Sequence, residues 1–163
     1  MVRFKNRWVL IEVQGEPVLS KADGEYENTH IASLNGGTIH TAVRDAILAN
    51  YGEYGLGSLL SSFNVKYFSS HTNIGIIRVA RDYHQMLLVS LFFMKEINGT
   101  PCSITVRHVG GNVKDEDAQR AAIQYDLEVL LRRQRRAEKH GTAAINVAEL
   151  SRISKDEIMK IES

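Results

Sequence analysis

Cysteine is nearly absent: among 163 residues there is one, Cys102. A lone thiol cannot close an intramolecular disulfide, which suits the cytosol or nucleus and leaves Cys102 as a small buried hydrophobe. Long apolar runs are missing too, since none approaches the ~20 residues of a membrane span. The basic start Met1 to Arg7 leads into a short alternating strand, without the apolar core and cleavage site of an export signal. Catalytic signatures are also lacking. There is no HExxH, GxSxG, P-loop or paired-cysteine pattern, and His30, His40, His71, His84, His108 and His140 show no metal-ligand spacing. Glu12 stands in a strand without a visible partner, and one carboxylate does not make acid–base chemistry.

What is present reads as one globular domain. A hydrophobic content of 44% with 24% charged residues is ordinary for a folded chain, and the length suits one core rather than two. The net charge of +1 hides segregation. Arg3, Lys5 and Arg7 sit together without an acid, and Arg132, Arg133, Arg135, Arg136 and Lys139 cluster near a helix end. Glu12, Glu16, Asp23, Glu25 and Glu27 gather before the first helix. Such segregation fits an RNA-binding component, although a solvated helix end is the commoner meaning of an arginine run.

The organising stretch is Phe63 to Arg81, two runs rich in β-branched and aromatic residues around Ser69-Ser70-His71-Thr72-Asn73, which reads as a β-hairpin. Neither face of its return strand, Ile74 to Ala80, is cleanly polar. Before it, Arg7 to Val13 predicts a central strand, and Gln14 to Asn35 a long exposed loop, poorly ordered in part. A helix follows from Gly36 to about Tyr51, with Thr38 as its N-cap, Ile39, Ala42, Val43, Ala46 and Ile47 on one stripe, and Gly52 ending it before the turn Gly55-Leu56-Gly57. Asp82 caps a second helix, Tyr83 to Ile97, which is apolar nearly all round; it either lies deep in the core or meets another protein. Its candidate interface residues are Met86, Leu87, Leu91 and Phe92. The turn Asn98 to Pro101 leads to the fourth strand, Cys102 to Val109, and Lys114 to about His140 predicts a long helix lying on the domain.

The order βαββαβ predicts an α+β fold, a ferredoxin-like or RRM-like two-layer sandwich of an antiparallel sheet and two helices, plus the long C-terminal helix. Residues 1–140 form this domain, with 14–35 as an acidic loop. Residues 141–163 form a partly ordered tail holding one short amphipathic segment with Ser154 as its cap.

Two stretches suggest RNA contacts. In Arg3-Phe4-Lys5-Asn6-Arg7-Trp8 cations alternate with rings and an amide, so phosphates can be neutralised and bases stacked. The plainer alternative is a basic start to a strand with Phe4 and Trp8 in the core. In His108-Val109-Gly110-Gly111-Asn112-Val113-Lys114 paired glycines permit close approach to a phosphate, but Asp115, Glu116 and Asp117 already satisfy the helix dipole and repel one. The return strand lacks the aromatics of an RNA-recognition motif, so contact falls to edges, loops and termini, with Lys66, Arg78 and Arg81 as further candidates.

The blocks MVRFKNRW, VKYFSSHTNIGIIRVARD, YHQMLLVSLFF and RHVGGNVK resemble, in order, those of the Pop-five family, the small protein subunit of eukaryotic ribonuclease P and ribonuclease MRP, with archaeal relatives. The resemblance covers most of Met1 to about Leu131. It implies a non-catalytic subunit: the RNA holds Mg2+ and cuts precursor tRNA, no cofactor is bound by this chain, and ribosomal RNA processing falls to the MRP particle. It further implies as partners the catalytic RNA, a TIM-barrel-like subunit and a second small α/β subunit, with residence in the nucleus and nucleolus and no membrane. By the same resemblance Arg3, Lys5, Asn6 and Arg7 lie against RNA, a role extended to Lys66, Arg78, Arg81, His108 and Lys114. Competing readings are a free-standing RNA-binding module and a small-molecule-binding regulatory domain of the same fold.

Overall fold

The computed structural model describes residues 5–19, 24, 26–111, 116–142 and 144–161. Strand β1 (Asn6–Gly15) is the sheet's centre, paired antiparallel with β5 (Ile74–Ala80) on one side and β7 (Thr100–Gly110) on the other. Strand β4 (Asn64–Phe68) forms the hairpin with β5, and the short β6 (Glu96–Ile97) flanks β7, giving the order β4-β5-β1-β7-β6. Without β6 this is the expected ferredoxin-like order. The tight Asn98-Gly99 loop between β6 and β7, both residues at positive φ, extends the sheet to five strands.

The doubly apolar return strand has a simple explanation, because both faces of the sheet are covered. On one face Val9, Ile11, Val13, Ile77 and Val79 pack against α1 (Gly36–Leu60) and α2 (His84–Phe93). On the other, Trp8, Leu10, Ile74 and Ile76 pack beneath α3 (Glu116–His140), through Ala118, Ala122 and Val129, and beneath α4 (Val147–Met159), through Ile158. Ile74 and Ile76 are fully buried; at about 1.5–3 kcal/mol each, their burial makes α3 an integral third layer rather than an appendage. The surface on which an RNA-recognition motif stacks bases is therefore closed.

Several boundaries differ from the sequence reading. Asn35, not Thr38, caps α1: its Oδ1 accepts from the Thr38 N–H at 2.9 Å. Gly52 (φ 64°) does end the first helical segment, but a second one follows directly and runs to Leu60, so Gly55-Leu56-Gly57 is helical rather than a turn. Asp82 lies in a 3-10 turn, Arg81–Tyr83, and Tyr83 precedes α2 without a side-chain cap. Helix α2 stops at Phe93, and Glu96 and Ile97 turn into β6. The stretch expected as a loop contains a ribbon of β2 (Pro17–Leu19) and β3 (Tyr26–Asn28), and then buries Ile31 and Leu34. Asn146, not Ser154, caps α4, its Oδ1 accepting from the Glu149 N–H at 3.2 Å while its Nδ2 donates to the Glu149 carboxylate at 2.8 Å. Ser154 is buried mid-helix beside Tyr67 and Asp126.

Candidate nucleic-acid interface

Because β1 runs antiparallel to both neighbours, its first residues meet the last residues of β5 and β7. Asn6 faces Ala80, Trp8 faces both Arg78 and Gly110, and the Arg81 N–H donates to the Lys5 carbonyl at 2.8 Å. Lys5, Asn6, Arg7, Arg78 and Arg81, spread over 77 positions of sequence from 5 to 81, thus share one end of the sheet. With its amide oxygen turned toward the guanidinium, Asn6 accepts from Arg78 Nε at 3.1 Å. Arg7 Nη1 donates to the Gly111 carbonyl at 2.5 Å, tying β1 to the end of β7. The Arg81–Asp82 pair, 3.4 Å apart and exposed, leaves the Arg81 charge largely available, since such pairs are worth little in water.

The other candidates are less central. His108 is half-buried, paired in register with Leu10 on the α3 side. Lys66 sits half-buried at the β4 irregularity, and has interactions of its own. Arg3 and Lys114 lie outside the described residues. Of the four apolar candidates on α2, Leu87 and Leu91 are fully buried and Met86 is half-buried, while Phe92 is 78% exposed. Its exposed companions are Val89 and Phe93, whose ring meets Phe92 edge-on with centroids 5.4 Å apart. The outward apolar surface of α2 is therefore Val89, Phe92 and Phe93.

A second basic region, the arginine run whose sequence fits either an RNA contact or a solvated helix end, lies at the opposite end of the sheet. There the second half of α3, the end of β1 and the segment after β3 enclose a cleft of about 380 Å³. Val129, Arg132, Arg133, Arg136, Ala137 and His140 line it, and their spacing of three and four marks one helix face; that periodicity was the available signal. Arg133 Nη1 donates to the His71 carbonyl, and Arg136 Nη1 donates to the Asn28 carbonyl at 3.3 Å. His30 Nε2 lies 2.9 Å from the Ser70 carbonyl, so it carries the proton.

Charge in the cleft is unequal. Glu12 is buried, and its Oε2 accepts from Arg107 Nε at 2.7 Å, with Arg107 also 5.9 Å above the Tyr125 ring. Arg132 approaches the other carboxylate oxygen only to 3.8 Å. Burial, then the Arg133 charge, pushes His30 below the usual imidazole value; burial, then the Arg136 charge, lowers Arg133 in turn. Beneath the cleft Thr72 donates to the buried Asp126 carboxylate, which burial raises above the usual range against the opposing hydroxyls of Ser154 and Thr72.

Among the described residues no group of three or more His, Cys, Asp or Glu is placed to hold a metal ion, and no helix is long and apolar enough to cross a membrane. What the two regions can do is attract anions.

A family model described as the Rpp14/Pop5 family matches residues 7–123. The chain is 34% identical over 127 residues to the ribonuclease P/MRP protein subunit POP5 of Schizosaccharomyces pombe, covering 76% of this chain and 87% of that protein. It is 36% identical over 114 residues to the probable subunit of the same name from Arabidopsis thaliana, covering 70% and 73%. A chain from the cryo-EM structure of yeast ribonuclease MRP superposes with a TM-score of 0.49 at 10% identity, over 78% of this chain and 95% of that one. With the family's pattern running from the first sheet strand into α3, this chain belongs to the Rpp14/Pop5 family.

Proposed function

We propose that this chain is a non-catalytic protein subunit of ribonuclease P and ribonuclease MRP, supplying shape and positive charge to an RNA that does the cutting. The observation that carries this is the match over most of the chain to relatives that bear that subunit's name. The geometry agrees physically, since Lys5, Arg7, Arg78 and Arg81 converge on one sheet end while α3 closes the base-stacking face. Binding then reads backbone phosphates and shape rather than sequence. Asn6 orients Arg78, and Arg3 and Lys114 extend the same role on the strength of the resemblance. His108 and Lys66, half-buried, act at the margin.

The exposed Val89, Phe92 and Phe93 are the surface offered to a protein partner, for which the TIM-barrel-like subunit and a second small α/β subunit are the candidates. Mg2+ belongs to the partner RNA, precursor tRNA is the substrate of the assembly, and the assembly works in the nucleus and nucleolus. The test is affinity capture of the tagged chain from cell extract, with sequencing of the bound RNA. Recovery of both ribonucleoprotein RNAs is expected; recovery of neither overturns the reading.

A further inference from the structure

We infer that the cleft between the end of β1, the segment after β3 and the second half of α3 is a nucleotide seat, taking one phosphorylated residue of an RNA strand. The inference rests on the proposed subunit role for the source of the nucleotide, and on the cleft itself for the chemistry. Three guanidiniums, Arg132, Arg133 and Arg136, face a space whose one lining acid among the described residues, Glu12, is already held by Arg107. Arg133 and Arg136 are half-buried and anchored to backbone carbonyls, so their forks are held in place before any ligand arrives. A volume of about 380 Å³ exceeds what a bare phosphate or a carboxylate needs and sits in the range of small-ligand pockets. Val13, Val129 and Ile145 supply an apolar wall for a sugar or base beside the charged one.

Burial is the main cause of the lowered His30 and Arg133 values, and neighbouring positive charge adds to it: Arg133 and His71 disfavour the charged form of His30, and Arg136 disfavours that of Arg133. A phosphate would reverse both charge effects. The cleft is also separate from the basic sheet end. From Ala118, beside Gly110 and Trp8, to Arg136 the helix runs about 27 Å at 1.5 Å per residue. One RNA strand crossing α3 would touch both ends. An acidic peptide would also seek guanidiniums, but the volume and the apolar wall favour a nucleotide over carboxylates on a strand.

The test follows the His30 ring by NMR in the full chain during titration with an oligouridylate, AMP, inorganic phosphate and poly-glutamate. The oligonucleotide is expected to shift His30 and raise its pKa, with AMP and phosphate acting on the same signals only at higher concentration. Arg132→Gln with Arg136→Gln should lower the salt slope of RNA binding by about 0.7 for the lost phosphate contact, and the lysine versions should restore it. Trp8 fluorescence melting confirms that each variant is folded. A His30 ring indifferent to the oligonucleotide, AMP as tight as the oligonucleotide, or tighter poly-glutamate would each overturn the inference. If wild-type protein captures both RNAs yet His30 does not respond, the seat fails and the subunit role stands. If it captures neither, the subunit role fails and His30 alone decides the seat.

Discussion

Replacing Arg107 by methionine should destabilise the chain more than replacing Glu12 by glutamine, although the two belong to one ion pair. The Glu12 side chain is 6% exposed and that of Arg107 is 29% exposed. Removing the guanidinium therefore strands a buried carboxylate whose remaining cation, Arg132, is 3.8 Å away on the far oxygen. Breaking a buried pair in this way costs about 3–5 kcal/mol; the residual Arg132 contact and partial access of water place Arg107→Met near the lower end, at about 3 kcal/mol. Glu12→Gln instead leaves a cation that can turn toward water and an amide oxygen that can still accept from it, a loss of about 1 kcal/mol. The double variant Glu12→Leu with Arg107→Met removes both charges and should return to within about 1 kcal/mol of wild type. The single tryptophan, Trp8, is buried in the same sheet face and reports urea unfolding directly. In melting experiments about 3 kcal/mol corresponds to roughly 6–12 °C for a chain of this length. Equal losses in the two single variants, or a double variant as unstable as Arg107→Met, would refute the reasoning.

Replacing Arg3, Lys5 and Arg7 together by alanine should weaken RNA association in the assembled particle and flatten its salt dependence by about one unit per lost phosphate contact; an unchanged slope removes them from the RNA interface. Burial, with the Asp126 charge second, pushes the Tyr67 hydroxyl up from 10.0 to about 12. An acid raised in the folded state favours folding while it stays protonated, so stability should be full below pH 10 and fall as pH climbs from 10 toward 12. Tyr67→Phe should abolish that slope in urea midpoints measured across the window. Phe92→Ser with Phe93→Ser should leave the unfolding free energy from urea melts within about 0.5 kcal/mol of wild type, because both rings are mostly exposed, while reducing capture of a protein partner from cell extract. A large drop in stability would place those rings in the domain's own packing.

Local chemistry made much of the fold legible. Alternation in Phe63 to Arg81 marked the hairpin, and the stripe Ile39, Ala42, Val43, Ala46 and Ile47 marked the buried side of α1; Ile74 to Ala80 showed no polar face, yet the expected sandwich had two layers, and the cover that α3 and α4 give the second face came only with the structure. Boundaries set by competition between neighbours were harder to see. Thr38 and Asn35 are both good caps, and only the helical path shows whose oxygen meets the N–H. The apolar α2 divides by geometry, Leu87 and Leu91 turning inward and Phe92 and Phe93 outward, a division invisible where every residue is hydrophobic.

The basic N-terminal residues were legible as candidates because they are contiguous. Their convergence with Arg78 and Arg81 was not, because antiparallel pairing of β1 with β5 creates it. Glu12 looked solitary for the same reason: Arg107 lies 95 positions away and reaches it across the β1–β7 irregularity. From the residues alone came the globular composition, the order of the four main strands and the helices between them, and the family pattern, all of which are encoded in near neighbours. The cleft and the pairing of Glu12 were decided by tertiary structure, because a charge acts through distance in space, and that distance is set by which strands lie side by side.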